Sequence, residues 1–464
     1  MTAPPLPTFS TPRRSHLWLW LTLGGFVVLT VFGLLAFGVY RVAHRFSKEY
    51  APLAATLPAE IAGAKKEGLP TTIEDLRPKP PVSDADNAAQ TYRKLIALYS
   101  RQSKKAADAD KTFVTEHLKV KARTPQNDQE IRAYLKTYAT ELTLSERAAQ
   151  KPQCDFARDW SKGFNVIFPE LSVMRSGARL LMLRAAVESD ENQPIPALHD
   201  VTLAAKVAQH SASDPTLIAS LVKIAILAVA NRRFVEILQR HGNDSAIFPA
   251  AQEAATALAD PIDLRRVFGG EMVLGRATIQ NITASDTADL PGGVRLPANV
   301  QVQQQMKAAW EARMIANWRT VQRQLRNSHG DLLASERALN ATEAEEQAHR
   351  FEAGYELNAA LNPVYGKAIA KVMQNQATAN LRAEMLALLK YRQKWGNFPG
   401  ALSELPDAAK QNDPFTNQPL GYKTTAMSFV IYSVSNNRKD DGGSDKSVKL
   451  GDSNWPEDIV VAYP

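Results

Sequence analysis

The chain has 464 residues, of which 45% are hydrophobic and 22% charged, and a formal net charge of +7. It is long enough for two or three domains with cores of their own, and too apolar and too weakly charged for a disordered chain. Lys and Arg are interspersed with Asp and Glu instead of gathered in a block, which argues against a nucleic-acid partner, and a lone cysteine, Cys154, excludes an internal disulfide framework and a thiolate zinc site.

Residues 1–16 read as a short tail carrying Arg13 and Arg14. Residues 17–40 follow as an uncharged run rich in Leu, Val, Phe and Gly, long enough to cross a hydrocarbon core of about 30 Å as a helix. Trp18, Trp20 and Tyr40 lie near its ends, as interfacial aromatics do. The run is longer than the apolar region of a cleaved signal peptide, and no small-x-small cleavage site precedes Arg41, so an uncleaved signal anchor is expected. Arg13 and Arg14 on one side face Arg41, Arg45 and Lys48 on the other, so charge does not set the orientation. The shortness of the tail favours a cytoplasmic N-terminus and a translocated body. That makes it a single-pass protein with its bulk outside the cytoplasm; a bacterial inner membrane and a periplasmic body are what the resemblance of the C-terminal module, given below, implies.

Residues 41–85 are expected to form a helical stalk and a linker, in which Pro70, Pro78, Pro80 and Pro81 block helix and ladder hydrogen bonding. Residues 86–259 read as a domain of successive amphipathic helices. Tyr92, Leu95, Ile96 and Tyr99 recur at i, i+3, i+4, i+7 as a core stripe. Farther on, ENQPIP and SDP break the pattern, and Asp214 is expected to cap the next helix with Pro215 at its first position. Residues 217–230 are nearly all apolar but too short to span a bilayer. They read as the central core helix, with Leu221 and Ile224 inside. Residues 260–297 are expected to be an irregular connection, because GGEMVLG and PGG carry many glycines but no phosphate-loop pattern. Residues 298–380 turn helical again around Trp310 and Trp318, with breaks at Gly330, Asn362 and Pro363.

Beyond residue 381 a helix gives way to period-two patterning. Strand-like runs surround Phe429, Ile431 and Tyr432, then Ile459, Val460, Val461 and Tyr463, with a shorter one over residues 420–423. The expected fold is therefore mainly α: a transmembrane helix, a multi-helix soluble body, and a small C-terminal α+β module with about three antiparallel strands.

The order of Tyr391, Gly396, Phe398, Pro399, Asp413, Pro414, Tyr432, Ser433, the run 440–443 (DDGG), Asp458 and Ile459 resembles the globular domain of type II secretion major pseudopilins. It is similar also to the tails of uncharacterised membrane proteins of planctomycete and verrucomicrobial type. The resemblance implies a calcium site in which Asp440, Asp441 and Asp458 are the candidate ligands. Calcium takes six to eight hard oxygens, and Gly442 and Gly443 would let backbone carbonyls turn inward. The chain departs from the family in lacking the Glu that follows the processing point of a pilin-like N-terminus. Its apolar run also lies far from the module, which argues against a fibre subunit.

No GxSxG, HExxH, CxxC or Walker pattern occurs, and Glu346 with His349 matches only half of a di-iron helix motif, so those two are expected on a solvated face. The reading that follows is a membrane-anchored envelope scaffold that binds another protein or an envelope polymer without evident catalysis. The alternatives are an envelope enzyme of unrecognised type and an accessory of a secretion or pilus-like machine.

Overall fold

The computed structural model describes residues 46–119, 124–283, 285, 295–297, 299–350, 352–356, 365–406, 411–450 and 453–464. The anchor expected over residues 17–40 lies outside them. Among the described residues, no helix is long and apolar enough to cross a membrane.

The architecture is mainly helical. Helix α1 (Ala51–Lys66) is followed by a proline-rich segment and then by α2 (Ala89–Tyr99), α3 (Lys104–Lys119), α4 (Pro125–Thr137) and α5 (Ala139–Ala149). Three long helices come next: α6 (Pro169–Asp190), α7 (Pro194–Ser211) and α8 (Leu217–His241). After α9 (Phe248–Leu258), α10 (Leu264–Asn281), α11 (Val300–Asn327) and α12 (Leu332–Ala348) lead to the 31-residue α13 (Tyr365–Trp395). Strands β1 (Gly421–Thr424), β2 (Phe429–Ser433), β3 (Ser447–Leu450), β4 (Ser453–Pro456) and β5 (Ile459–Tyr463) complete the chain.

Side chains at the helix starts satisfy N–H groups that would otherwise lack partners. Thr124 and Asn127 form a reciprocal capping box on α4, while Asp263, Asn299 and Asp331 accept from the first turns of α10, α11 and α12. At α8 the cap is Thr216, whose hydroxyl accepts from the Ala219 N–H. The Asp214 expected there has its carboxylate on Arg158 instead.

Two large hydrophobic clusters fill the interior, with a small third of Leu333, Met373, Ala377 and Phe415. The first joins α2 to α9, the C-terminal half of α13, and β2 and β5 of the terminal sheet, so the expected helical domain and the C-terminal module share one core. The stripe on α2 enters it, with Tyr92 and Leu95 fully buried. The second is built on α1, α10, α11 and the start of α13 around Trp310, Trp318, Phe268 and Tyr365. Phe268, Trp318 and Tyr365 form a mutual aromatic cluster with all three centroid separations at 5.6 Å.

The stretch expected to be a stalk is thus a packed wall. Helix α1 lies along α11, and Arg319 reaches back to Glu60 at 2.7 Å and Glu67 at 2.6 Å. The connection expected to be irregular is helical over Leu264–Asn281. Its glycines cost helix propensity, but they let neighbours approach: a Cβ at Gly270 would stand 1.8 Å from the Pro215 carbonyl oxygen, and one at Gly275 2.6 Å from the Met314 sulfur. On α8 the buried apolar side chains include Val222, Ile226, Leu227, Ala230, Phe234, Ile237 and Leu238, whereas Leu221 and Ile224 are only partly buried.

The sheet has the order β1-β2-β5, both pairs antiparallel, with Tyr422 opposite Ile431 and Ile431 opposite Val461. A separate hairpin, β3-β4, was not expected from the sequence pattern. Gly421 faces Tyr432 across β1-β2, where a Cβ would enter the tyrosine ring. The sheet docks on the end of α8 and the turn after it: the Tyr463 hydroxyl donates to Asn243 Oδ1 of the turn at 3.0 Å, and Gln239 of α8 donates to the Ala462 carbonyl at 2.6 Å.

Because Ile226 is 2% and Leu227 0% exposed, replacing either with Ala should cost about 2–5 kcal/mol by lost burial and cavity formation. Ile218, 50% exposed on the same helix, should cost less than about 0.5 kcal/mol. Chemical denaturation of the three variants checks this, and equal losses at Ile218 and Leu227 would contradict the burial assigned to α8.

Candidate functional site

A cleft of about 1150 Å³ lies between the proline-rich segment and the helical body. Pro78, Pro80 and Pro81 keep residues 77–83 out of regular structure, so they cross the gap as a strap. Both ends of the strap are pinned. At one end Asp75 accepts from the N–H groups of Thr71 and Thr72 at 2.8 and 2.9 Å, and Arg276 of α10 donates to the Thr71 carbonyl. At the other, Ala88 N–H donates to the Gln153 carbonyl at 2.8 Å, and Asn87 exchanges hydrogen bonds of 2.9 Å each with the Asp155 backbone. The strap therefore runs from the second core to the first.

Arg158 forms the cleft floor. Its guanidinium bridges Glu170 at the start of α6 and Asp214 before α8, the latter at 2.5 Å, and lies 4.4 Å from the Phe168 ring centroid and 5.1 Å from that of Phe156. Burial pushes both carboxylates above their ordinary pKa, and the Arg158 charge opposes that shift. No sequence motif marked this triad, because its members are separated by 12 and 56 residues and meet only when α6 and α8 pack.

The potential reactive groups of the cleft are engaged. His210 Nε2 donates to the Lys151 carbonyl at 2.9 Å, which leaves Nδ1 to accept from the Tyr92 hydroxyl at 3.1 Å. Burial, reinforced by the Lys206 charge and partly offset by the bond to Lys151, drives its pKa down to about 4 and keeps it neutral. Cys154 is buried as expected, and burial raises its thiol well above the ordinary value, away from the reactive thiolate.

The three aspartates named from the resemblance gather at the sheet edge with separate engagements. Asp458 is fully buried, and its Oδ2 accepts from Gly443 N–H at 2.7 Å and Ser444 N–H at 3.1 Å. Its Oδ1 has no hydrogen-bond partner among the described residues. Asp440 accepts from Gly442 N–H at 2.8 Å and from the Tyr432 hydroxyl. Asp441 is held by Asn437 at 2.7 Å and Lys439 at 3.1 Å. Among the described residues, no group of three or more His, Cys, Asp or Glu side chains is arranged to hold a metal ion.

A second carboxylate of the same stretch, Asp413, accepts from Phe415 N–H, Ser433 Oγ and Val434 N–H at 2.9, 3.0 and 2.7 Å, joining the DPF turn to the end of β2. Glu346 and His349 diverge. Glu346 is buried and accepts from Asn317 at 3.1 Å, which corrects the expected solvated face, whereas His349 points outward onto Glu352 at 2.7 Å.

Comparison with protein-family models, with curated proteins and with solved structures finds no match to the chain.

Arg158→Ala would strand two buried carboxylates and should destabilise the protein by about 3–5 kcal/mol, measured by chemical denaturation. A loss below about 1 kcal/mol would mean that water reaches Glu170 and Asp214.

Proposed function

We propose that this chain is a membrane-tethered interaction protein, without catalysis of its own, that holds an extended acidic segment of an envelope protein in the cleft beneath the strap. The observation that carries this reading is the charge of the walls. Arg77, Lys79, Lys151, Arg158, Lys206 and Arg266 line the cleft, and among the described residues only Arg158 of these six is in an ion pair. Lys151 and Arg266 donate to backbone carbonyls, the Arg266 charge also acts on Asp214, and against the six cations the walls carry three carboxylates, Asp86, Asp155 and Asp214. A half-open cleft with a surplus of cations attracts and orients acidic chain. The neutral, doubly bonded His210 and the buried Cys154 thiol support binding over chemistry. In this reading residues 17–40 anchor the body to a bacterial inner membrane from the periplasmic side, and the sheet module is a pseudopilin-like cap.

An oligoglutamate peptide added to the full chain in detergent should bind saturably and weaken as salt rises, read by fluorescence anisotropy. The Lys79→Glu, Lys206→Glu double variant should bind about tenfold more weakly. Absence of binding, or equal binding by the variant, would remove the acidic-segment reading.

A second reading concerns the sheet edge, where the unpartnered Oδ1 of buried Asp458 favours a calcium ion completed by backbone carbonyls of the glycine turn. Asp440 and Asp441 fit such a site less well, since each already has local partners. Millimolar calcium should raise the unfolding midpoint relative to chelator, and Asp458→Asn should abolish the rise. An unchanged midpoint returns the loop to a hydrogen-bonded polar turn.

A further inference from the structure

A separate cavity of about 300 Å³ opens between α3, α4 and the outer face of α6. Ser172, Arg175, Ser176 and Arg179 line it from α6. Their spacings of three and four residues place all four on one stripe, with neighbouring Cβ atoms about 5–6 Å apart. Among the described residues neither arginine makes a hydrogen bond or an ion pair. That contrasts with Arg184 farther along the same helix, which is bonded to Glu146, Asp200 and Glu188.

Two guanidinium groups one turn apart repel each other, and Arg179 is half-buried besides. Burial and the charge of Arg175 both pull the Arg179 pKa below its ordinary value, as expected where no anion compensates it. Lys111 adds a third cation on the opposite wall. The one carboxylate present, Asp110, is taken up by the Tyr138 hydroxyl and by Gln102 at 3.3 Å.

We infer that this cavity is a binding site for a phosphate dianion, free or as the monoester of a small alcohol. Two guanidinium forks and the Ser172 hydroxyl supply more donors than the roughly four lone-pair sites of a carboxylate can use, whereas a tetrahedral phosphate presents acceptors in several directions. The volume lies at the small end of ligand pockets and admits a headgroup-sized molecule. Tyr99, which hydrogen-bonds Ser176, and Tyr134, stacked on Phe113 at 4.3 Å and 4.7 Å from the Tyr138 ring, make part of the lining aromatic and suit the organic part of an ester. The site is independent of the cleft beneath the strap, with which it shares no lining residue.

The experiment is isothermal titration of the full chain in detergent with inorganic phosphate and, separately, glycerol 3-phosphate, both at constant ionic strength in chloride. Saturable binding with Kd below about 1 mM is expected. Tighter binding of the ester assigns the pocket to a monoester, and equal affinities assign it to free phosphate. Arg175→Gln removes an exposed side chain with no partner, so the variant should fold as the parent does and bind at least about tenfold more weakly. Arg179→Lys keeps the charge but loses the fork and should also weaken binding. No saturable heat with either probe, or undiminished binding by Arg175→Gln, overturns the assignment.

Discussion

Helix α13 runs from one large hydrophobic core to the other, with Met373 and Ala377 between them in a small cluster with Leu333 and Phe415. Its first half gives Tyr365, Ile369 and Val372 to the core of α1, α10 and α11. Its second half gives Leu381, Met385, Leu386, Leu388 and Leu389 to the core of the long helices and the sheet. At 1.5 Å per residue its 31 residues reach roughly 45 Å, enough to serve both. Within the first core Arg382 is 1% exposed and donates to Asn231 and to the Ala255 carbonyl, with no ion pair among the described residues, and burial holds its pKa down at about 9. A guanidinium in that position ties α13 to α8 and α9 by hydrogen bonds and by its place 5.9 Å from the Phe234 ring centroid of α8. The sheet then has no separate core: β2 and β5 cover the end of the helical layer, and the aromatic cluster of Phe398, Phe429 and Tyr463 seals the join.

Polar contacts fix the irregular segments to this frame. Each of several buried carboxylates accepts from donors that are remote in sequence or set in a turn: Asp413 from the end of β2, Asp458 from the glycine turn, Glu356 from Tyr50 at 2.5 Å, Trp310 at 3.3 Å and Gly354 N–H at 2.8 Å. A buried carboxylate without such donors would cost several kcal/mol, so these bonds select one arrangement of turns over others of similar hydrophobic content. DPF with YSV and DDGG with DI are in this sense two carboxylate clamps.

The cleft exists because the strap bridges the two cores that α13 also bridges. Its ends are held by Arg276 on α10 and by the backbone of residues 153–155, so it cannot collapse onto the Arg158 floor without breaking one of them. Proline supplies the stiffness, and the absence of N–H groups at those positions leaves the strap with few demands of its own.

The sequence alone determined what depends on local periodicity. The stripe on α2, the burial of Trp310 and Trp318, the turn at Gly330 and the three paired strands were legible, because each follows from spacing or backbone preference within a few residues. Glycine in α10 misled for the same reason. Its propensity argues for a loop, and only the closeness of Pro215 and Met314 shows why a helix there needs residues without side chains. Asp214 was read as a cap because Pro215 follows it, and only the packing of α6 against the start of α8 gave its charge to Arg158. The cleft, the unpaired arginines of α6 and the shared core are likewise products of tertiary structure. Each depends on side chains brought together from separate helices, and periodicity records which face of a helix is buried but not which neighbour buries it.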